Sequence, residues 1–280
     1  MAMTETRTRG SGGAPTGPSY LLADQASELG RLRLQSRVWE PAGEMLLREM
    51  QLPADAVVLD VGCGAMGWLR ALRRRLGDGG RVVGSDVDPR MLAAARAFVV
   101  DEKLAGVEIV EDDLFASRLP AAGFDLVHAR FQLAPLGRDA EQLHSYCARL
   151  KPGGWLVLED PDAASWRIHP QGPATEELIM LLQQAFTAAG GHFNAGRELP
   201  RLMRQHGIEP ALRAQVVALE PGHPYLRLPL QFAAALKGRL EALVGAARLT
   251  ALLDAAEWEL QRPGVWGTSF TLVQAFGRKH

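Results

Sequence analysis

The chain has 280 residues, 47% apolar and 22% charged, a balance that buries one substantial core plus a smaller cap. A formal net charge of −1 excludes long-range attraction to nucleic acid or an anionic membrane, and only two cysteines, Cys63 and Cys147, exclude a disulfide framework or a cysteine metal centre. No apolar run approaches the roughly 20 residues that span a bilayer, so the sequence predicts a soluble cytoplasmic protein, without a metal site and with a small-molecule partner.

Residues 1–18 are Thr, Gly, Arg, Ser and Pro, too polar to bury a core, and read as a disordered tail. Residues 19–56 read as two helices: Leu21, Leu22, Leu29, Leu32 and Trp39 recur one or two turns apart, Pro41 resets the pattern, and Met45, Leu46 and Met50 face inward in a second helix. Short apolar strands then alternate with helices. Val57–Leu59 opens the series, followed by Trp68–Leu76 as helix, Arg81–Asp86 as strand, Pro89–Val100 as helix, and strands at Val107–Val110 and Phe124–Ala129. A helix to Leu150 is stopped by Lys151-Pro152-Gly153-Gly154, and Trp155–Glu159 is a fifth strand. This alternation predicts an α/β, Rossmann-like doubly wound sheet covered on both faces.

Beyond Asp162 the rhythm changes to helices over Glu176–Ala189 and Arg197–His206, then a strand over Leu212–Leu219. Three prolines in Pro221–Pro229 precede a helical pattern through Leu236, Leu240, Leu243, Leu252, Leu253 and Leu260, and Ser269–Gly277 supplies the last strand. The α/β domain is therefore expected in 57–221 and 263–280, with 222–262 a helical insertion that serves as a substrate cap or lid. Its apolar face also suits a homodimer contact.

Ligands in such sheets bind beyond the carboxyl ends of the strands. Here the first strand runs into Asp60 and the glycine turn Gly62, Gly64 and Gly67, the second ends at Asp86 and Asp88, the third at Asp112 and Asp113, and the fifth at Glu159, Asp160 and Asp162. Asp86, nineteen residues past Gly67, stands where a nucleoside site places a carboxylate on ribose hydroxyls, which disfavours a 2′-phosphate. Asp60 just before the first glycine would repel a pyrophosphate but suits a ligand with an ammonium and a sulfonium group, as in S-adenosylmethionine. That weakens the alternative of an NAD-dependent dehydrogenase.

Leu59-Asp60-Val61-Gly62-Cys63-Gly64, Val83-Gly84-Ser85-Asp86 with Met91, Asp112-Asp113, Phe124-Asp125-Leu126-Val127 and Leu150-Lys151-Pro152-Gly153-Gly154 together resemble a class I S-adenosylmethionine-dependent methyltransferase, in order and spacing, over residues 57–160. The resemblance implies a seven-stranded sheet of order 3-2-1-4-5-7-6 with the last strand antiparallel. It implies that Gly62, Cys63 and Gly64 pass under the methionine half of the cofactor, that Asp86 holds the ribose, and that Met91 or Val87 packs on the adenine. Asp113, beside Asp112, would accept the adenine amine, the Leu114 amide would meet the ring, and Ala129 and Arg130 would face the amino acid moiety. Tyr20, Arg31 and Arg33 would close over the cofactor, with S-adenosylhomocysteine as product.

For proton removal Glu159 or Asp160 is favoured, as acids at the end of the fifth strand, with His192 as a further candidate in the region that follows. His128, inside the fourth strand, reads as a satisfied core residue. Arg130 pairs either with the methionine carboxylate or with one of the acids. The expectation is methyl transfer to oxygen, nitrogen or carbon of a small apolar or aromatic metabolite, with a cofactor-binding protein of other chemistry as the alternative. Ala, Arg, Leu and Gly richness suits a G+C-rich bacterial gene and a role in natural product biosynthesis.

Overall fold

The computed structural model describes residues 26–280, so the expected tail and Tyr20 lie outside the described residues. A single helix, α1 (Ala26–Glu49), stands where two were expected, with Pro41 inside it. An interior proline removes one helical hydrogen bond at a cost of about 3 kcal/mol. The offset comes from an apolar stripe on either side of it: Trp39, Ala42, Leu46 and Leu47 are all at most 2% exposed.

Strands and helices follow as β1 (Val57–Val61), α2 (Leu69–Arg75), β2 (Arg81–Asp86), α3 (Pro89–Asp101), β3 (Val107–Glu111), β4 (Phe124–Arg130), α4 (Leu133–Leu136), α5 (Asp139–Arg149) and β5 (Leu150–Asp162). After β5 come β6 (Arg167–His169), α6 (Pro173–Ala188), α7 (Leu199–Gln205), β7 (Ala211–Gln215) and β8 (Ala218–Leu219). The chain closes with α8 (Leu228–Ala235), α9 (Lys237–Val244), α10 (Ala246–Gln261), β9 (Trp266–Thr268) and β10 (Thr271–Arg278).

The main sheet runs β3-β2-β1-β4-β5-β10-β7, which is 3-2-1-4-5-7-6 when its own strands are counted along the chain. The first five are parallel, and β10 runs antiparallel to both neighbours. Side chains alternate across the strands as a period of two requires. Val58, Leu126 and Val157 pack under α2 and the second half of α1, whereas Leu59, Val127, Leu156 and Leu158 pack under α5 and α7.

Two departures from the expected strands have local causes. Lys151-Pro152-Gly153-Gly154 is a bulge within β5 rather than a stop before it: Phe124 pairs with Leu150, and the next partner of β4 is Trp155. The expected strand over Leu212–Leu219 divides into β7, in the main sheet, and β8, in a second sheet of order β6-β9-β8. Strands of two or three residues are too short to leave a periodic signal.

Helices α8, α9 and α10 lie between β8 and β9 and form a second core with α6, built from Trp166, Leu182, Phe186, Phe193, Tyr225, Phe232, Leu240 and Phe270. Glu259 of α10 fastens this insertion to α6. Its carboxylate accepts the Ala174 and Thr175 amides at 2.9 and 2.8 Å and the Thr175 hydroxyl at 2.6 Å, so an anion fills the N-terminus of α6. Glu259→Ala is expected to cost about 1–3 kcal/mol, because those buried donors lose their acceptor. Thermal denaturation checks this; an unchanged midpoint would show that the donors find other acceptors. Among the described residues, no helix is long and apolar enough to cross a membrane.

Candidate active site

The turn after β1 is held at three points. The Cys63 amide donates to the Ser85 carbonyl at 2.9 Å, the Gly64 amide to Asp86 Oδ2 at 2.9 Å, and the Trp68 amide to Asp60 Oδ2 at 2.7 Å. Gly64 and Gly67 both take positive φ, +55° and +46°. Their surroundings differ: a Cβ on Gly67 would overlap Asp60 Oδ2, whereas nothing stands within 4 Å of where a Cβ on Gly64 would lie. One glycine lets the turn close on Asp60, and the other leaves space above it.

That space is a crevice of about 300 Å³. Asp60, Gly62, Cys63, Gly64, Asp86, Val87, Met91, Asp112, Asp113, Leu114 and Arg130 all line it, and Ala129 does not, being 1% exposed within β4. The second oxygen of Asp86 accepts the Asp88 amide at 2.9 Å. Burial raises the Asp86 pKa above the ordinary carboxylate value, against the pull of its amide donors. Asp112 and Asp113 accept the Arg118 and Phe115 amides, which fixes the turn after β3.

Asp60, expected to meet the ligand's cationic groups, lines the crevice, and each of its oxygens also has a partner inside the protein. Oδ2 holds the Trp68 amide, and Oδ1 lies 2.6 Å from His128 Nδ1. His128 Nε2 is 3.0 Å from Glu159 Oε2, and Glu159 Oε1 accepts Gln274 Nε2 at 2.6 Å. The Trp68 ring stacks on the imidazole at 3.8 Å between centroids. Burial opposes protonation of His128, yet the flanking Asp60 and Glu159 hold its pKa above the ordinary histidine value. Burial likewise opposes ionisation of Glu159, and His128 and Arg130 outweigh it, keeping its pKa low. Beside this row the Arg130 guanidinium is buried: Nη2 donates to the Gly67 carbonyl at 3.4 Å, whereas Nη1, 3.8 Å from Glu159, has no hydrogen-bond partner.

The expected bases stand elsewhere. Glu159 and Asp160 are 0% exposed and line neither the crevice nor the adjoining pocket. The physical reason is the length of β5, which pairs with β10 as far as Asp162, so Glu159 and Asp160 lie opposite Gln274 and Val273 inside the sheet rather than at a strand end. Asp160 accepts the Leu133 and Ala134 amides at 3.4 and 3.0 Å, and burial pushes its pKa up to about 7. His192 also lies off the crevice, with Nε2 3.7 Å from Asp139.

A second, narrow pocket of about 30 Å³ adjoins the crevice and shares Gln35 and Phe131 with it. Phe131, Phe186, Phe193, Phe232 and Phe270 supply its walls, with Pro135 and Pro161. Arg31 closes one side, stacked 4.6 Å above the Phe232 ring and bonded to Glu28 and Gln35. It was expected over the cofactor but faces this pocket instead, and Arg33 is exposed. The sequence reading missed Leu32, Gln35 and Ser36 of α1, and Gln132 and Arg138 near α4, all of which line the crevice. Only the polar Gln35-Ser36 step within the apolar stripe of α1 hinted at them.

A family model described as "Methyltransferase domain" matches residues 58–154. A demethylmenaquinone methyltransferase of Shouchella clausii is 32% identical over 111 residues, 40% of this chain and 47% of that protein. A trans-aconitate 2-methyltransferase of Paracidovorax citrulli is 34% identical over 131 residues, 46% of this chain and 48% of that one. The chain thus spans about half the length of the curated relatives it matches. Among solved structures, a SAM-dependent methyltransferase from Aquifex aeolicus superposes with a TM-score of 0.52 at 24% identity, covering 69% of this chain and 92% of that one.

Proposed function

We propose that the chain is a class I S-adenosylmethionine-dependent methyltransferase and that it transfers a methyl group to an oxygen, nitrogen or carbon of a small apolar or aromatic metabolite, in secondary metabolism. The observation that carries this reading is the adjacency of two cavities: a crevice over a glycine turn lies beside a narrow pocket walled by five phenylalanines, with Gln35 and Phe131 common to both. Two relatives named for demethylmenaquinone and trans-aconitate support a small acceptor.

The crevice suits the donor on two counts: the vacant space over Gly64, and the buried Arg130 Nη1 that lacks an acceptor. Gly62 and Gly64 would run beneath the methionine half, and Arg130 would meet its carboxylate. Asp86 would take the ribose hydroxyls, since each carboxylate oxygen has a lone pair beyond the one used by an amide. Asp113 and the Leu114 amide would take the adenine edge, with Met91 or Val87 against its face. When bound, S-adenosylmethionine supplies an electrophilic methyl on a cationic sulfur.

The protein's own work is then alignment and exclusion of water. Phe131, which lines both cavities, and the phenylalanines behind it would desolvate an acceptor seated against them, and a base is needed only where the acceptor atom keeps its proton. Helices α8, α9 and α10 act as the cap of this pocket through Phe232 of α8.

Thermal shift tests the donor and a labelled-methyl assay on a metabolite panel tests the transfer. S-adenosylhomocysteine should raise the melting temperature and NAD should not. Stabilisation by NAD alone would overturn the reading, and binding without transfer to any aromatic or apolar acceptor would favour a protein of other chemistry. Asp86→Ala is expected to weaken S-adenosylhomocysteine by about 1–3 kcal/mol in calorimetry, through two lost ribose hydrogen bonds.

A further inference from the structure

His128 sits on the floor of the crevice with a carboxylate oxygen within hydrogen-bond distance of each ring nitrogen, Asp60 at 2.6 Å and Glu159 at 3.0 Å. A neutral imidazole has one N–H and one lone pair, so in that state one carboxylate would face a lone pair. Either the ring carries both protons or one acid carries the second. The other oxygen of each acid already accepts an N–H, from the Trp68 amide and from Gln274 Nε2, which favours both acids ionised. The charges that meet here come from three strands: Asp60 of β1, His128 and Arg130 of β4, and Glu159 of β5. The uncharged Trp68 ring and Gln274 of β10 complete the surroundings. With the ring cationic, this buried set has two positive and two negative groups.

We propose that His128 is a positioning residue: as an imidazolium clamped between Asp60 and Glu159 it fixes the glycine turn through Asp60, and by partnering and neutralising Glu159 it leaves Arg130 Nη1 open to an anionic group in the crevice, the carboxylate of an adenosyl amino acid. The first half follows from Asp60, whose two oxygens join His128 to the Trp68 amide at the far end of the turn. The second follows from Glu159. Its oxygens are occupied by His128 and Gln274 while the guanidinium stays 3.8 Å away. Loss of the ring proton leaves Asp60 and Glu159 with one cation between them, draws Arg130 onto Glu159, and removes the hold on the turn. His128 touches no reacting atom in this scheme. The ligand half of the proposal rests on the methyl-donor reading; the protonation of the ring does not.

Two measurements test it. NMR of the ligand-free protein with nitrogen-15-labelled histidine, assigned through contacts to the Trp68 ring, should report both His128 nitrogens protonated at neutral pH. A single protonated nitrogen would overturn the proposal, and this readout needs no variant. Calorimetry with S-adenosylhomocysteine should show affinity constant through neutral pH and then falling about tenfold as the imidazolium loses its proton. His128→Asn places an amide N–H near Nδ1, so it keeps the Asp60 bond without the charge. It should bind about tenfold more weakly at neutral pH and lack the alkaline step. A wild-type profile without that step, or a variant that retains both affinity and step, would refute the coupling. A wild-type protein that binds no S-adenosylhomocysteine at any pH would instead overturn the donor reading, whatever the ring nitrogens report.

Discussion

Replacing Gly67 with alanine is expected to cost about 2–4 kcal/mol, a fall in melting temperature on the order of 5–10 °C, and to abolish measurable donor binding. Two effects add. Alanine at a φ of +46° suffers the left-handed steric penalty, and its methyl would overlap the Asp60 oxygen that holds the Trp68 amide, breaking a buried hydrogen bond. Gly64→Ala is the control. Its φ of +55° carries the same backbone penalty, but its methyl meets no atom of the protein and enters the crevice. It should therefore lose more in ligand affinity than in melting temperature. Equal melting temperatures for wild type and Gly67→Ala would remove the structural role given to this glycine.

Stability is expected to fall as pH rises from about 4 to about 7, by on the order of 1–4 kcal/mol from Asp160 alone. The sign follows from burial, which raises the folded-state pKa to about 7 from an ordinary value of 3.8. Between those limits the folded protein holds a proton that the unfolded chain releases. The stabilisation is thus complete below the lower value and lost as pH climbs through the upper one. Asp160→Asn keeps an oxygen for the Ala134 amide without an ionisable group, so its denaturant midpoint should vary less over this range. Parallel profiles would show that Asp160 does not titrate there. Asp160 also accepts the amides that begin α4, where Ala134 and Pro135 wall the phenylalanine pocket.

The glycine turn and its crevice were readable because the signals are local: an apolar run, an acid, three glycines and the next strand's acid within thirty residues. The strand order was readable only through resemblance, since nothing within a strand names its neighbours. The base assignment failed for a long-range reason. Trp155–Glu159 reads as a strand ending in acids, but β10, more than a hundred residues later, pairs with it to Asp162 and encloses Glu159 and Asp160. His128 was legible as a satisfied core residue, yet its partners lie 68 and 31 positions away, so the row of charges was not. Of the phenylalanine pocket only the aromatic and proline content of residues 221–233, which include Phe232, was a sign, because its rings come from the end of β4, α6, the segment before α7, α8 and the segment before β10.

Helix α1 lends Leu32, Gln35 and Ser36 to the crevice and Arg31 and Gln35 to the pocket, while Trp39 donates to the Tyr225 hydroxyl at 3.2 Å ahead of α8. One rod thus serves as a party wall between the two chambers and is bolted to the helical insertion. Exchanging that insertion for a homologue's will misfit unless the leading rod travels with it.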